Sequence, residues 1–156
     1  MRGWTQIAGA IVMVAALSGH PVSAQELIDG TSPEAVVDIL KGFGSARLDA
    51  NQTTGNPQIS GRSDGKAYEV FFYGCKDKKD CGSIQFWAYW DGTPELSKVN
   101  EWNKNTRYGK VYLDQDEDLV LEFDINLLYG VHPKTVEDSA DVWVRLMTKV
   151  QNEILQ

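Results

Sequence analysis

Apolar positions along this chain recur with two different periods, and turn formers separate the segments that carry them. Thr31-Ser32-Pro33-Glu34 sets a capping hydroxyl, a proline and a glutamate at a helix start, the pattern of a capping box. Val36, Val37, Ile39, Leu40 and Phe43 follow at helical spacing, and Gly42 and Gly44 stop the run. Strand-like pieces come next at Ser45–Leu48 and Gln58–Arg62, parted by a loop rich in Asn, Thr, Gly and Pro over 51–57. Ser63-Asp64-Gly65 reads as a tight turn into a strand at Lys66–Tyr73, and Ser83–Trp90 runs back beside it. Asp91-Gly92-Thr93-Pro94 ends that strand and caps a second helix over Glu95–Lys104, with Leu96, Val99 and Trp102 as its apolar side. Strands at Arg107–Leu113 and Leu119–Asn126 are joined by the acidic turn Asp114-Gln115-Asp116-Glu117-Asp118. The last helix runs from Pro133 to Ile154, where Val136, Ala140, Trp143, Met147, Val150 and Ile154 keep a three-to-four rhythm.

The order is helix, four strands, helix, two strands, helix (αββββαββα). Short turns between neighbouring strands make the sheet antiparallel, and segregated helices make the class α+β, with the helices packed on one face of the sheet. Most strands alternate cleanly: Leu119, Leu121, Phe123 and Ile125 point one way, Glu122, Asp124 and Asn126 the other. The third and fourth strands do not. Tyr68, Val70 and Phe72 share one face while Phe71 and Tyr73 lie on the other; Ile84, Phe86, Ala88 and Trp90 oppose Gln85, Trp87 and Tyr89. Helices cover one side, so Phe71, Tyr73, Trp87 and Tyr89 need a second cover or form a candidate binding face. Internal cover, a protein partner or second copy, and a small-ligand groove all fit this alternation.

The chain's start changes the picture. Arg2, the eleven-residue apolar run Ile7 to Leu17 and the small residues Val22-Ser23-Ala24 read as a secretory signal peptide over residues 1–24. Residues 25–156 then form a single domain in the periplasm or outside the cell. The run is too short to span a bilayer, no second one follows, and Gln25 rather than Cys stands directly after the cleavage site, which argues against stable membrane insertion or a lipid anchor after cleavage. Loss of Arg2 leaves 14 Lys/Arg against 22 Asp/Glu, moving the formal charge from -7 to -8. An acidic chain without a basic block is a poor match to nucleic acid. Cys75 and Cys81, the two cysteines of the chain, read in an oxidising compartment as a structural disulfide.

Catalytic strings are present but lack their context. Gly61-Arg62-Ser63-Asp64-Gly65 matches a nucleophile elbow, yet that elbow needs a helix after it, and Lys66–Tyr73 alternates as a strand. Asp114, Asp116 and Asp118 imitate the opening of a calcium loop, but Leu119 stands at its glycine position and Ile125 at its glutamate position. His132, between Val131 and Pro133, reads as a cap or surface residue. The sequence therefore assigns no catalytic residue, no metal ligand and no cofactor.

Longer strings carry a resemblance. Ile59-Ser60-Gly61-Arg62-Ser63-Asp64-Gly65-Lys66-Ala67-Tyr68-Glu69-Val70-Phe71-Phe72-Tyr73-Gly74-Cys75, Ser83-Ile84-Gln85-Phe86-Trp87-Ala88-Tyr89-Trp90, Val99-Asn100-Glu101-Trp102-Asn103 and Leu119-Val120-Leu121-Glu122-Phe123-Asp124 resemble the exported branch of the bacterial YbjN-domain family. The similarity extends over about Leu27 to Ile154. It implies a fold similar to type III secretion chaperones, an α+β sandwich that often dimerises, and a sensory-transduction or stress-related regulatory role. It brings no catalytic residues. The export signal and cysteine pair depart from the cytoplasmic members, which moves the expected role outside the cytoplasm: a non-enzymatic, chaperone-like or regulatory module that binds a protein. An inhibitor of a cationic envelope enzyme would suit the acidic charge; a small-ligand binder is the alternative from another class.

Overall fold

The computed structural model describes residues 26–156; the expected signal peptide lies outside them. Six strands form one antiparallel sheet: β1 Ser45–Ala50, β2 Pro57–Ser63, β3 Lys66–Tyr73, β4 Ser83–Trp90, β5 Lys110–Leu113 and β6 Leu119–Asn126. Their spatial order is β1-β2-β3-β4-β6-β5, so β6 slots between β4 and β5 and the edges are β1 and β5. Helices α1 Pro33–Leu40, α2 Leu96–Asn105 and α3 Pro133–Glu153 complete the αββββαββα order. The α+β class and one-sided packing expected from the sequence are what the chain forms.

The inward residues of β3, β4 and β6 make the core: Tyr68, Val70, Phe72, Ile84, Phe86, Ala88, Leu119, Leu121, Phe123 and Ile125. The helices meet them through Val36, Val37 and Leu40 of α1, Val99 and Trp102 of α2, and Val136, Ala140, Trp143, Met147 and Val150 of α3. Trp143 is the centre, with its ring 5.4 Å from Phe86 and 6.2 Å from Tyr68. Such aromatic contacts add to area burial. Tyr68 in turn lies over Gly61 of β2, where any Cβ would overlap its ring.

Local chemistry departs from the sequence expectation in three places. Ser32 is the N-cap of α1 but makes no side-chain cap, so the capping box does not form; Asp29 instead accepts from the Thr31 N–H at 2.9 Å and from its hydroxyl at 2.6 Å. The helix ends at Leu40, and Lys41–Phe43 tighten into a 3-10 turn. Arg107–Gly109 are not strand: Tyr108 takes φ 72°, a left-handed conformation that breaks extended pairing, and β5 starts at Lys110. His132 caps α3, its Nδ1 accepting from the Lys134 N–H at 3.1 Å.

Cys75 and Cys81 form the disulfide that closes the β3–β4 connection. The strand of chain before α1 ties this loop down. Gly30 accepts from the Cys81 N–H at 3.2 Å, and Ile28 exchanges hydrogen bonds of 2.9 and 2.8 Å with Val131. A Cβ on Gly30 would collide with the Cys81 backbone, so only glycine fits there.

Candidate binding face

The three helices bury the core face of the sheet; among the described residues no helix lies over the opposite face. There the register sets Phe71 against Gln85, Glu69 against Trp87 and Tyr89 against Val120. Four rings follow one another in an oblique stripe: Tyr73 to Phe71 at 6.5 Å, Phe71 to Trp87 at 6.0 Å, and Trp87 to Tyr89 at 5.2 Å between centroids. Phe71 and Trp87 are half-buried by their neighbours, while Tyr73 and Tyr89 are 47% and 53% exposed. All four sequence-nominated residues thus come together on one open face. At the disulfide end, Leu128 is exposed and lies beside Gly82.

Sequence alternation missed part of this face. Tyr112 of β5 and Tyr89 of β4 are the cross-strand partners of Val120 on either side, and Val120 is 1% exposed although no helix covers it. Finding that cluster requires knowing that β6 separates β4 from β5, which local pattern does not reveal. Glu122 is the second omission. Its carboxylate accepts from the Tyr112 hydroxyl at 2.7 Å and pairs with Lys110 Nζ at 2.8 Å, beside its cross-strand partner Trp87. Burial, and then the Glu122 hydrogen bond, push the Tyr112 phenol up to about 12; Lys110 is raised first by its own hydrogen bond to Glu122.

Carboxylates border the stripe on both sides. Glu69 accepts from Gln58 at 2.9 Å and Ser60 at 3.0 Å, and Asp124 accepts from Gln85 at 3.0 Å, whose Oε1 accepts from Tyr73 at 3.3 Å. Burial first, then Glu122 and Asp124, raise the Tyr73 phenol. These hydrogen bonds tie the polar border of the stripe together.

Next to Tyr89 the sheet splits. The β3–β4 ladder stops at Glu69↔Trp87, yet β3 begins at Lys66 and β4 ends at Trp90. A hollow of about 410 Å³ opens in the gap, lined by Ala67, Glu69, Trp87, Tyr89, Trp90 and Asp91 among others. It is open to solvent, and Glu69 on its wall is already engaged by β2.

The catalytic strings are absorbed by structure. Ser63 is buried at the end of β2, and Asp64-Gly65 turn directly into β3 rather than a helix. Asp114 spends its carboxylate on the N–H groups of Asp116 and Asp118 at 2.9 and 3.0 Å, closing the β5–β6 turn. Among the described residues no group of three His, Cys, Asp or Glu is placed to hold a metal ion, and no helix is long and apolar enough to cross a membrane.

An α+β module with one helix-covered and one open, aromatic sheet face is the class these features define. The chain belongs to the YbjN family, described as "Putative bacterial sensory transduction regulator", whose sequence profile matches residues 32–156. Among solved structures it is similar to YbjN from E. coli, at 14% identity and a TM-score of 0.51, covering 84% of this chain and 100% of that one. That likeness concerns the fold. The Yersinia pestis type III secretion chaperone SycH, solved with a fragment of YscM2, is similar at 15% identity and a TM-score of 0.47, over 76% of this chain and 98% of that one; nothing about this chain's partners follows from it. No curated protein matches in sequence.

Proposed function

We propose that this chain is an exported, non-catalytic binding module, regulatory or chaperone-like, that holds a protein partner on its open sheet face. The stripe Tyr73–Phe71–Trp87–Tyr89 on a face without helices carries the reading. Large aromatic area with a polar border is what protein interfaces favour. The family's regulatory description supports the general role. Glu69, Glu122 and Asp124 around the stripe, on a chain of formal charge -7, select a partner segment with apolar and basic side chains. The Met1–Ala24 leader pattern and the Cys75–Cys81 pair support export.

The test compares partner capture from envelope extract by the oxidised wild type and a Trp87→Ala/Tyr89→Ala variant at low and high salt. Loss of a salt-sensitive, saturable partner in the variant, with the far-UV spectrum unchanged, is the expected result. Equal capture by both sinks this surface. Mass spectrometry of the exported chain checks the leader: a mature N-terminus at Gln25 is expected, and an intact Met1 would end the export reading. The inhibitor version of the reading requires salt-sensitive binding to a cationic envelope enzyme and falls if there is none.

A small-ligand site is the second reading, favoured by the hollow beside Trp87 and Tyr89. Its wall carries Glu69 and Asp91 with Lys66 beside them, and small aromatic amines are the probe for it. Quenching of tryptophan fluorescence by such amines, abolished in Trp87→Ala, would support it. No saturable quenching removes it.

A further inference from the structure

We propose that β1 is a self-pairing edge: two copies of this chain join antiparallel through β1, centred on Leu48, into one continuous sheet. The phase of the ladder gives the first step. Asp64 and Gly65, at φ 48° and 78°, form a two-residue hairpin turn, which makes Ser63 and Lys66 a hydrogen-bonded pair. Alternation then turns the backbone of Gly61 and Ile59 toward β3, and that of Arg62, Ser60 and Gln58 toward β1. Their partners Ser45, Arg47 and Asp49 face inward, and the Asn51 N–H continues that phase by donating to the Asn56 carbonyl at 2.8 Å. The N–H and C=O groups of Ala46, Leu48 and Ala50 therefore point out of the sheet. Among the described residues they have no hydrogen-bond partner.

The other edge is blocked at Val111, where Asn103 of α2 occupies both outward backbone groups. An edge left open beside a blocked one is where a further strand can add.

Charge selects a second copy as that strand. Self-pairing must set outward-facing residues opposite one another, which leaves few registers. Pairing Ala46 with Leu48 places Arg47 against Arg47, and pairing Leu48 with Ala50 places Asp49 against Asp49. Centring on Leu48 instead pairs Ala46 with Ala50 twice and Leu48 with itself, so all three outward residues of each copy are used. It also sets Arg47 of one copy directly opposite Asp49 of the other, on both sides of the axis. Opposite charges at such close cross-strand positions stabilise and like charges oppose pairing. Within one chain Arg47 and Asp49 already lie 2.8 Å apart, so the dimer closes a ring of four alternating charges.

The two-fold axis of such a pairing is perpendicular to the sheet, so both aromatic stripes face the same side. Five strand spacings separate β3 from its copy, about 24 Å. The dimer would present two binding stripes on one surface. This inference stands apart from the aromatic-face reading, because it concerns the edge and not the face.

Light scattering of the oxidised full chain over a range of concentrations tests it. A dimer is expected. Arg47→Asp and Asp49→Arg should each raise its dissociation constant by about tenfold or more, and the double reversal should restore it. Amide exchange in the wild type provides the check that needs no variant: Ala46, Leu48 and Ala50 N–H exchange should slow as concentration rises. A monomer at every concentration overturns the proposal, as does a double reversal that fails to recover. A dimer indifferent to both charges but lost in Trp87→Ala would place self-association on the aromatic face and overturn it equally.

Discussion

The side-chain amide of Asn103 closes on Val111 like a one-residue strand: Nδ2 donates to the Val111 carbonyl at 2.8 Å, and Oδ1 accepts the Val111 N–H at 2.9 Å. Val111 lies in an edge strand, and its inward neighbours Lys110 and Tyr112 spend their backbones on β6. Asn103 thus removes the outward groups on which another strand could template.

Replacing Asn103 by Leu leaves a donor and an acceptor at β5 without partners. The expected cost is about 1–3 kcal/mol, read as a lower midpoint in a denaturant melt. The freed edge should also give association that grows with concentration and that Asn103→Gln does not reproduce in full. An unchanged midpoint would show that water replaces the amide without loss.

Gly61 is the second position where one atom decides the packing. Any Cβ there overlaps the Tyr68 ring, which is wedged between Phe86 and Trp143 and cannot retreat freely. Gly61→Ala should cost about 1–3 kcal/mol by overpacking and lower the protection of the Tyr68 amide in hydrogen exchange. Tyr68→Leu in the Gly61→Ala background should recover part of that loss by giving the methyl room.

Tyrosine titration carries a pH signature with a definite sign. Burial pushes Tyr68 up to about 12, and burial with the Glu122 hydrogen bond does the same to Tyr112, against 10.0 in the unfolded chain. Between those values the folded protein holds protons that the unfolded chain has lost, so stability is fully present below pH 10 and falls as pH rises toward 12. Lys110 is raised by its hydrogen bond to Glu122 and acts in the same direction above 10.5. Absorbance of tyrosinate should show Tyr68 and Tyr112 titrating late among six tyrosines. Tyr112→Phe should remove one of those late steps.

How much of this was visible along the chain depended on whether a feature is local. Lys66–Tyr73, Ser83–Trp90 and Leu119–Asn126 match the observed strands because alternation and turn residues are local. So are the faces of β3 and β4, which is why Phe71, Tyr73, Trp87 and Tyr89 could be nominated together. β1 was seen only to Leu48; Asp49 and Ala50 are extended through pairing with Gln58 and Pro57, which no local preference signals. The Ser32 side-chain cap does not form; the Ala35 N–H, which a capping hydroxyl would receive, goes to the Ser32 carbonyl at 3.1 Å. Glu122, Val120 and Tyr112 stayed hidden until strand order joined β4, β6 and β5.

The loop closed by Cys75 and Cys81 gives a redox prediction. Constraining so short a loop is worth about 2.4 kcal/mol in the chain-entropy account. Cys75→Ser/Cys81→Ser should lower stability by up to that amount. The loop also anchors Gly30 through the Cys81 N–H and joins Tyr73 to Gly82 through a 2.9 Å backbone bond, so its loosening reaches the end of the aromatic stripe. Amides of Tyr73 and Gly82 should exchange faster in the reduced protein, while those of β6 stay protected. Uniform acceleration across the sheet would mean global unfolding instead.

The aromatic face needs one distinction before any binding loss is attributed to it. Val120 is shielded by its neighbours Tyr89 and Tyr112 rather than by a helix, so truncating either tyrosine uncovers a valine as well as removing a contact. Tyr89→Ala should therefore cost about 1 kcal/mol of stability even if the face binds nothing. Tyr89→Phe keeps that cover and loses only the hydroxyl, so its stability should match the wild type within about 0.5 kcal/mol. Trp87, half-buried with its ring 6.0 Å from Phe71 and 5.2 Å from Tyr89, combines contact and cover in the same way, so its loss must also be read against stability. If partner capture falls in Trp87→Ala but holds in Tyr89→Phe, with both proteins melting near the wild type, the rings act as contacts. If capture follows melting temperature across the whole series, the face is a small second core, and the binding surface lies elsewhere.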